Sequence, residues 1–189
     1  MPVNVRIIGD SQLKNISSRD FHFDGRVDIN SSSGSGIAYA EQIMADIEWS
    51  TGSEVKPDII VIFIGGNDLD RSDVNIHDLV SRFVVVAQEA EAMGALTMFM
   101  EQWPRPGARN GPITYTTNKE YFEYRLRSSL PKTSRLWRWD KSLRINDGFF
   151  ARDGVHFHPR RKRKVIRYLL SAVLAAARWD RRLGLRIRA

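Results

Sequence analysis

Four segments far apart in the chain carry the groups, side-chain and backbone, that acyl transfer to an alcohol needs. Ser11 stands in NVRIIGDSQ (Asn4 to Gln12), where Val5, Ile7 and Ile8 read as a short apolar strand. Gly9 permits a sharp exit, so the serine falls just past the strand's carboxyl end, where open α/β sheets place their ligands. A serine hydroxyl is a weak nucleophile at neutral pH unless a base takes its proton, and that base is usually histidine. Four histidines are available. His22 lies in a polar loop and His77 near a helix start, and His158 reads as a loop or helix-start side chain. His156 ends Asp153-Gly154-Val155-His156, where the carboxylate three residues earlier can bend back across the glycine to Nδ1. Such a bond fixes the tautomer and leaves Nε2 free to accept a proton.

Acyl transfer also needs donors aimed at the developing oxyanion. Three fit: the backbone N–H of Ser11, a glycine N–H in Gly34-Ser35-Gly36, and the side-chain amide of Asn67, which follows Gly65-Gly66. Asp10, Gln12, Gly36, Gly66 and Trp103 are expected to contribute to substrate binding around them. The segment Trp103 to Pro112, rich in Pro, Arg and Gly, is expected to line the pocket.

These residues need a scaffold that brings distant segments to one edge. After the serine turn, a second strand is expected around Val27 to Asn30, followed by the flexible SSSGSG loop (Ser31 to Gly36). A helix over Ile37 to Glu48 has Ile37, Ala40, Ile43, Met44 and Ile47 at helical spacing. The run Asp58 to Ile64, DIIVIFI, is uninterrupted and largely β-branched, which predicts a central strand covered on both faces. A helix over 74–93, a strand over 96–101, a helix over 114–130 and a strand over 135–139 follow. Residues 146–159 read as a loop and Arg160 to Arg178 as a final helix with one apolar face. Strands alternating with helices predict a three-layer α/β/α sandwich.

At 189 residues, 42% of them apolar, the chain suits one core and one domain, expected over residues 1–178 with a basic tail over 179–189. It contains no cysteine, which excludes disulfides, thiolate metal sites and a cysteine nucleophile. Asp10, Asp68, Asp70 and Asp73 are expected to cap turns rather than hold a metal. The start lacks a signal peptide's long apolar stretch, and no run approaches the roughly 20 apolar residues needed to span a bilayer. A soluble, intracellular protein is expected, opening so abruptly on a strand that it reads as a domain cut from a longer one.

The net charge of +7 is uneven. From Arg152 onward twelve Lys and Arg face two acids, which leaves residues 1–151 at a net −3. The run Arg160, Arg161, Lys162, Arg163 and Lys164 opens a helix, where the macrodipole disfavours cations. A solvated face is the default there, with nucleic acid or an anionic membrane surface as the alternative partner. Tyr115, Tyr121, Phe122 and Tyr124 read as core and rim packing rather than a base-stacking platform.

Taken in chain order, Gly9-Asp10-Ser11, Gly34 (or Gly36), Gly65-Gly66-Asn67-Asp68 and Asp153-Gly154-Val155-His156 resemble the four blocks of the SGNH hydrolases, the GDSL-type esterase/lipase superfamily. The blocks span Gly9 to His156, nearly the whole chain. The resemblance implies a flavodoxin-like fold with a five-stranded parallel sheet, no cofactor, and hydrolysis of a small ester, an acetylated sugar or a lipid, through an acyl-serine. It implies Ser11 as nucleophile, His156 as base, Asp153 as its orienting carboxylate, and Ser11, Gly34 and Asn67 as oxyanion donors. Gly34 is preferred because Ile37, three residues on, starts the helix; Gly36 is the alternative. Gln12 departs from the leucine the family often has there and would alter the pocket mouth. Leu136-Trp137-Arg138-Trp139-Asp140, with the DGVHFHP loop and the basic helix, resembles the esterase-like domains of some animal retroelement first-ORF proteins. That would make nucleic acid a neighbour of a catalytically weak or inactive module.

Overall fold

A computed structural model describes residues 2–49, 56–139 and 148–180. Asp140, the first residues of the loop expected from Asn146, and tail residues 181–189 lie outside the described residues.

Five strands, β1 (Val3–Gly9), β2 (Gly25–Ser31), β3 (Ile59–Phe63), β4 (Leu96–Met100) and β5 (Ser134–Trp137), form one sheet in the order β2-β1-β3-β4-β5. Every neighbouring pair is parallel, with Val5 opposite Ile59 and Ile59 opposite Leu96. Parallel strands need covered faces, and the alternation of side chains along the central strands β1, β3 and β4 supplies two apolar sets. Val5, Ile7, Val61, Phe63 and Met100 meet Val165, Leu169 and Val173 of the last helix, α5 (Lys162–Trp179). Ile8, Ile60, Ile62 and Phe99 belong to the opposite layer, built on α1 (Ile37–Trp49), α3 (Ile76–Ala92) and α4 (Pro112–Ser129). All five residues of β3 are buried, each side chain worth about 1.5–3 kcal/mol against exposure. The most apolar run of the sequence is thus the rigid centre of the sheet.

The strand order reverses between β1 and β3, the switch point at which open α/β sheets leave a crevice beyond their carboxyl ends. β1 leads into Ser11 and β3 into Asn67, so both residues flank that crevice. Gly65 takes φ +118°, a left-handed exit that an L side chain rarely adopts. It turns the chain directly from β3 into a short helix, α2 (Gly66–Leu69), where the sequence suggested only a turn. The other elements differ from expectation at their ends. Pro112, whose missing N–H costs nothing in a first turn, starts α4 two residues early. Asn75 Oδ1 caps α3 by accepting from the N–H groups of His77 and Asp78. No side chain caps the basic start of α5, and Lys162 there pairs with Asp20 at 2.9 Å.

Candidate active site

Ser11 opens a 3₁₀ turn, Ser11–Leu13, directly after β1. Asp10 caps it: its Oδ1 accepts from the Gln12 N–H at 2.9 Å while its carbonyl accepts from the Leu13 N–H at 3.0 Å. Leu13 is fully buried against the strand, in space that a Cβ on Gly9 would occupy. The chain therefore leaves β1 by a single path that holds Ser11 at the crevice.

The second segment, 148–158, is a loop whose own backbone bonds give it shape. The Ala151 N–H donates to the His156 carbonyl and the His158 N–H to the Phe149 carbonyl, each at 2.8 Å. Gly154 takes φ +64°, letting the loop turn back on itself. Asp153 Oδ1 accepts from the N–H groups of Val155 and His156 at 2.9 and 3.0 Å, and Oδ2 lies 2.6 Å from His156 Nδ1. A carboxylate can only accept, so Nδ1 carries a proton, and in the neutral ring this leaves the lone pair on Nε2. Nε2 lies 2.7 Å from Ser11 Oγ. Burial pushes the Asp153 carboxyl up, but the bonds from the His156 ring and the two amides outweigh it and hold the group below the usual carboxylate range.

A third cluster lies behind the serine. Asn67 Nδ2 donates to the Ser35 carbonyl at 2.8 Å and to Asp10 Oδ2 at 3.3 Å, while its Oδ1 accepts from Arg105 Nη1 at 2.9 Å. Arg105 is 5% exposed, with Nη2 3.5 Å from Asp10 Oδ2 and Nη1 3.7 Å from Asp70 Oδ2. A Cβ on Gly66 would overlap its guanidinium. Desolvation pushes the Asp10 carboxyl up, and the Gln12 amide and Arg105 pull against it.

These segments surround a cavity of about 850 Å³ lined by Ser11, Gly34, Asn67, Asp153 and His156 among others. Gly34 faces open space at φ +73°. Gly36 instead packs against the Asp68 carboxylate, which accepts from the Ile37 N–H at 2.9 Å at the start of α1. The structure thus sets Gly34, not Gly36, at the cavity.

Three of the other four residues assigned to substrate binding sit elsewhere. Trp103 is 4% exposed and packs edge-on against Phe63, Phe149 and Phe157, so an indole expected at the pocket is core. Asp10 is buried behind the serine turn, and Gly66 lies against Arg105; neither lines the cavity. Gln12 does line it, but its side chain turns inward as a clamp. Nε2 donates to the Val155 carbonyl at 2.9 Å, and Oε1 accepts from the Phe157 N–H at 3.3 Å, gripping the backbone on both sides of His156. The four acids weighed as metal ligands are engaged within the chain: Asp70 accepts from the Arg109 N–H at 2.6 Å, and Asp73 pairs with Arg71 at 2.9 Å.

Arg105 was not singled out from the sequence. A signal existed, since it is the one cation in Trp103-Pro104-Arg105-Pro106-Gly107, just past β4 at the rim where Asp10 and Asp70 need a counter-charge.

No family model and no curated protein matches the sequence. Solved structures do. An acetyl xylan esterase, AlAXEase, aligns with a TM-score of 0.69 at 16% identity over 90% of this chain and 100% of that one. TesA aligns at 0.67 and 20% identity over 92% and 97%. A candidate SGNH hydrolase from Slackia heliotrinireducens aligns at 0.70 and 14% identity over 92% and 100%. At these identities the shared property is the fold.

Proposed function

The chain has the SGNH-hydrolase fold, and from that premise we propose that it is a serine esterase acting on a small acyl ester through an acyl-Ser11 intermediate. The observation that carries this reading is the 2.7 Å approach of Ser11 Oγ to His156 Nε2, with Asp153 on the other ring nitrogen. Oγ attacks the acyl carbon as Nε2 takes its proton, and a tetrahedral oxyanion forms. The N–H groups of Ser11 and Gly34 and the Asn67 amide are the donors available to it; of the two bonds that Asn67 Nδ2 donates, the longer one to Asp10 yields to the oxyanion. The intermediate collapses as His156 returns the proton to the departing alcohol, and water repeats the sequence to release the acid. Ala151, Val155, Phe157 and Pro159 give the cavity an apolar wall against which an acyl group can lie. Hydrolysis of p-nitrophenyl acetate tests the reading: Ser11→Ala lowers kcat by roughly a thousandfold or more with the fold intact. Equal turnover by variant and parent overturns it.

A second, compatible reading rests on Arg160, Arg163 and Arg167, all exposed around the start of α5. They form a surface suited to a nucleic-acid backbone, and binding there falls steeply with salt. Gel shifts unchanged in an Arg163→Glu, Arg167→Glu variant contradict it.

A further inference from the structure

We propose that the ester taken by this site carries a negative charge, a carboxylate or a phosphate, which Lys14 and Arg109 hold at the cavity rim. The proposal rests on the serine-esterase reading above. Four cations line the cavity, Lys14, Arg105, Arg109 and Lys162, against two acids, Asp70 and Asp153. Both acids are spent inside the protein. Asp153 serves His156 and two amides, and Asp70 serves Arg105 and the Arg109 amide. Arg105 in turn is buried between Asp10 and Asp70, and Lys162 is paired with Asp20.

That leaves the side chains of Lys14 and Arg109. Both are exposed, both line the cavity, and neither has a carboxylate partner among the described residues. They are not a spill-over from the basic end of the chain, because both lie within residues 1–151, whose net charge is −3. An acidic stretch therefore contributes two uncompensated cations to one concavity. Like charges lining a cleft focus its potential and raise the local concentration of an oppositely charged substrate. A neutral acyl chain laid across them would gain nothing from either charge.

Three acetyl esters test this on the whole chain: 4-acetoxybenzoate, its neutral methyl ester, and 4-acetoxyphenyl phosphate. In each, water cleaves the acyl C–O bond to give acetate and the phenol. At low salt one or both anionic esters exceed the methyl ester in kcat/KM by about tenfold, through KM, and the ratio shrinks as added salt screens the charges. Which anion is preferred separates a carboxylate substrate from a phosphate one. The ratio collapses in a Lys14→Glu, Arg109→Glu variant and falls in the milder Lys14→Gln, Arg109→Gln variant. An unchanged ratio in both variants overturns the proposal, as does a wild-type ratio near one. Ser11-dependent hydrolysis of all three esters without charge preference overturns this inference alone, whereas no Ser11-dependent hydrolysis of any of them overturns the esterase reading as well.

Discussion

Arg105 Nη1 donates to Asn67 Oδ1 at 2.9 Å, and this one bond decides which way the amide faces. With the oxygen held by a guanidinium, the nitrogen must point to the acceptors Ser35 and Asp10. The reverse orientation would set donor against donor. Arg105 also sets a cation 3.5 Å from the buried Asp10 carboxylate, directly behind the Ser11 turn.

Replacing Arg105 by Met should therefore lower kcat for p-nitrophenyl acetate by at least about tenfold, less than the roughly 10²–10³ of losing an oxyanion donor outright. It also strands two buried carboxylates, at about 3–5 kcal/mol of stability. Arg105→Lys, which keeps the charge but not the fork, should fall between in both. Unaltered kcat in the folded Lys variant, read beside its denaturation midpoint, would argue against this role.

Gln12 reaches residues 143 and 145 positions away, Val155 and Phe157. Gln12→Leu keeps the bulk but leaves a buried N–H and a carbonyl without their partner, at about 1–3 kcal/mol. With the His156 loop loosened, kcat should drop while KM moves little. Steady-state kinetics showing an unchanged kcat would make Gln12 a packing residue only.

Gly107 and Gly154 approach so closely that the Gly107 N–H bonds the Gly154 carbonyl at 3.1 Å, and a Cβ on Gly107 would overlap the Asp153 carbonyl. Gly107→Ala should displace the Asp153–His156 loop and reduce kcat/KM by at least about tenfold. Gly94→Ala is the control. Gly94 takes φ +83° with open space beside it, so the change costs about 1–2 kcal/mol of backbone strain with activity retained. Equal activity losses in the two variants would remove the steric argument.

Glu123 lies 2.9 Å from Lys119 and accepts from the Gln102 N–H at 3.0 Å. Burial, opposed by Lys119, pushes its carboxyl up to about 7 from 4.5. The folded chain thus holds a proton that the unfolded chain releases. This contribution to stability is complete below about pH 4.5 and is lost as pH rises through about 7. Thermal melts across that window should show a Tm falling with pH more steeply in the parent than in Glu123→Gln. Parallel profiles would contradict the assignment.

The sheet was legible in the sequence because its signals are local. The largely β-branched run Asp58 to Ile64 reads as a buried central strand, and β3 occupies Ile59–Phe63 within it; Gly9 closes β1, and Gly65 follows two residues after β3. The meeting of Ser11 with His156 could be anticipated, since few side chains can serve a serine and only one histidine has a carboxylate at the right spacing. Trp103, Gln12 and Arg105 were not legible in the same way. Trp103 is placed by rings from β3 and the 148–158 loop, Gln12 by backbone across the molecule, and Arg105 by carboxylates after β1 and α2. Each depends on partners that only the folded chain brings near.

The central claim is that Ser11 is an activated nucleophile. Treating the folded protein with a fluorophosphonate and mapping the adduct by mass spectrometry tests it most directly. The account predicts one phosphonylated residue, Ser11, with labelling lost in Ser11→Ala and strongly slowed in His156→Ala. Absence of an adduct on Ser11, or labelling indifferent to the loss of His156, would contradict it.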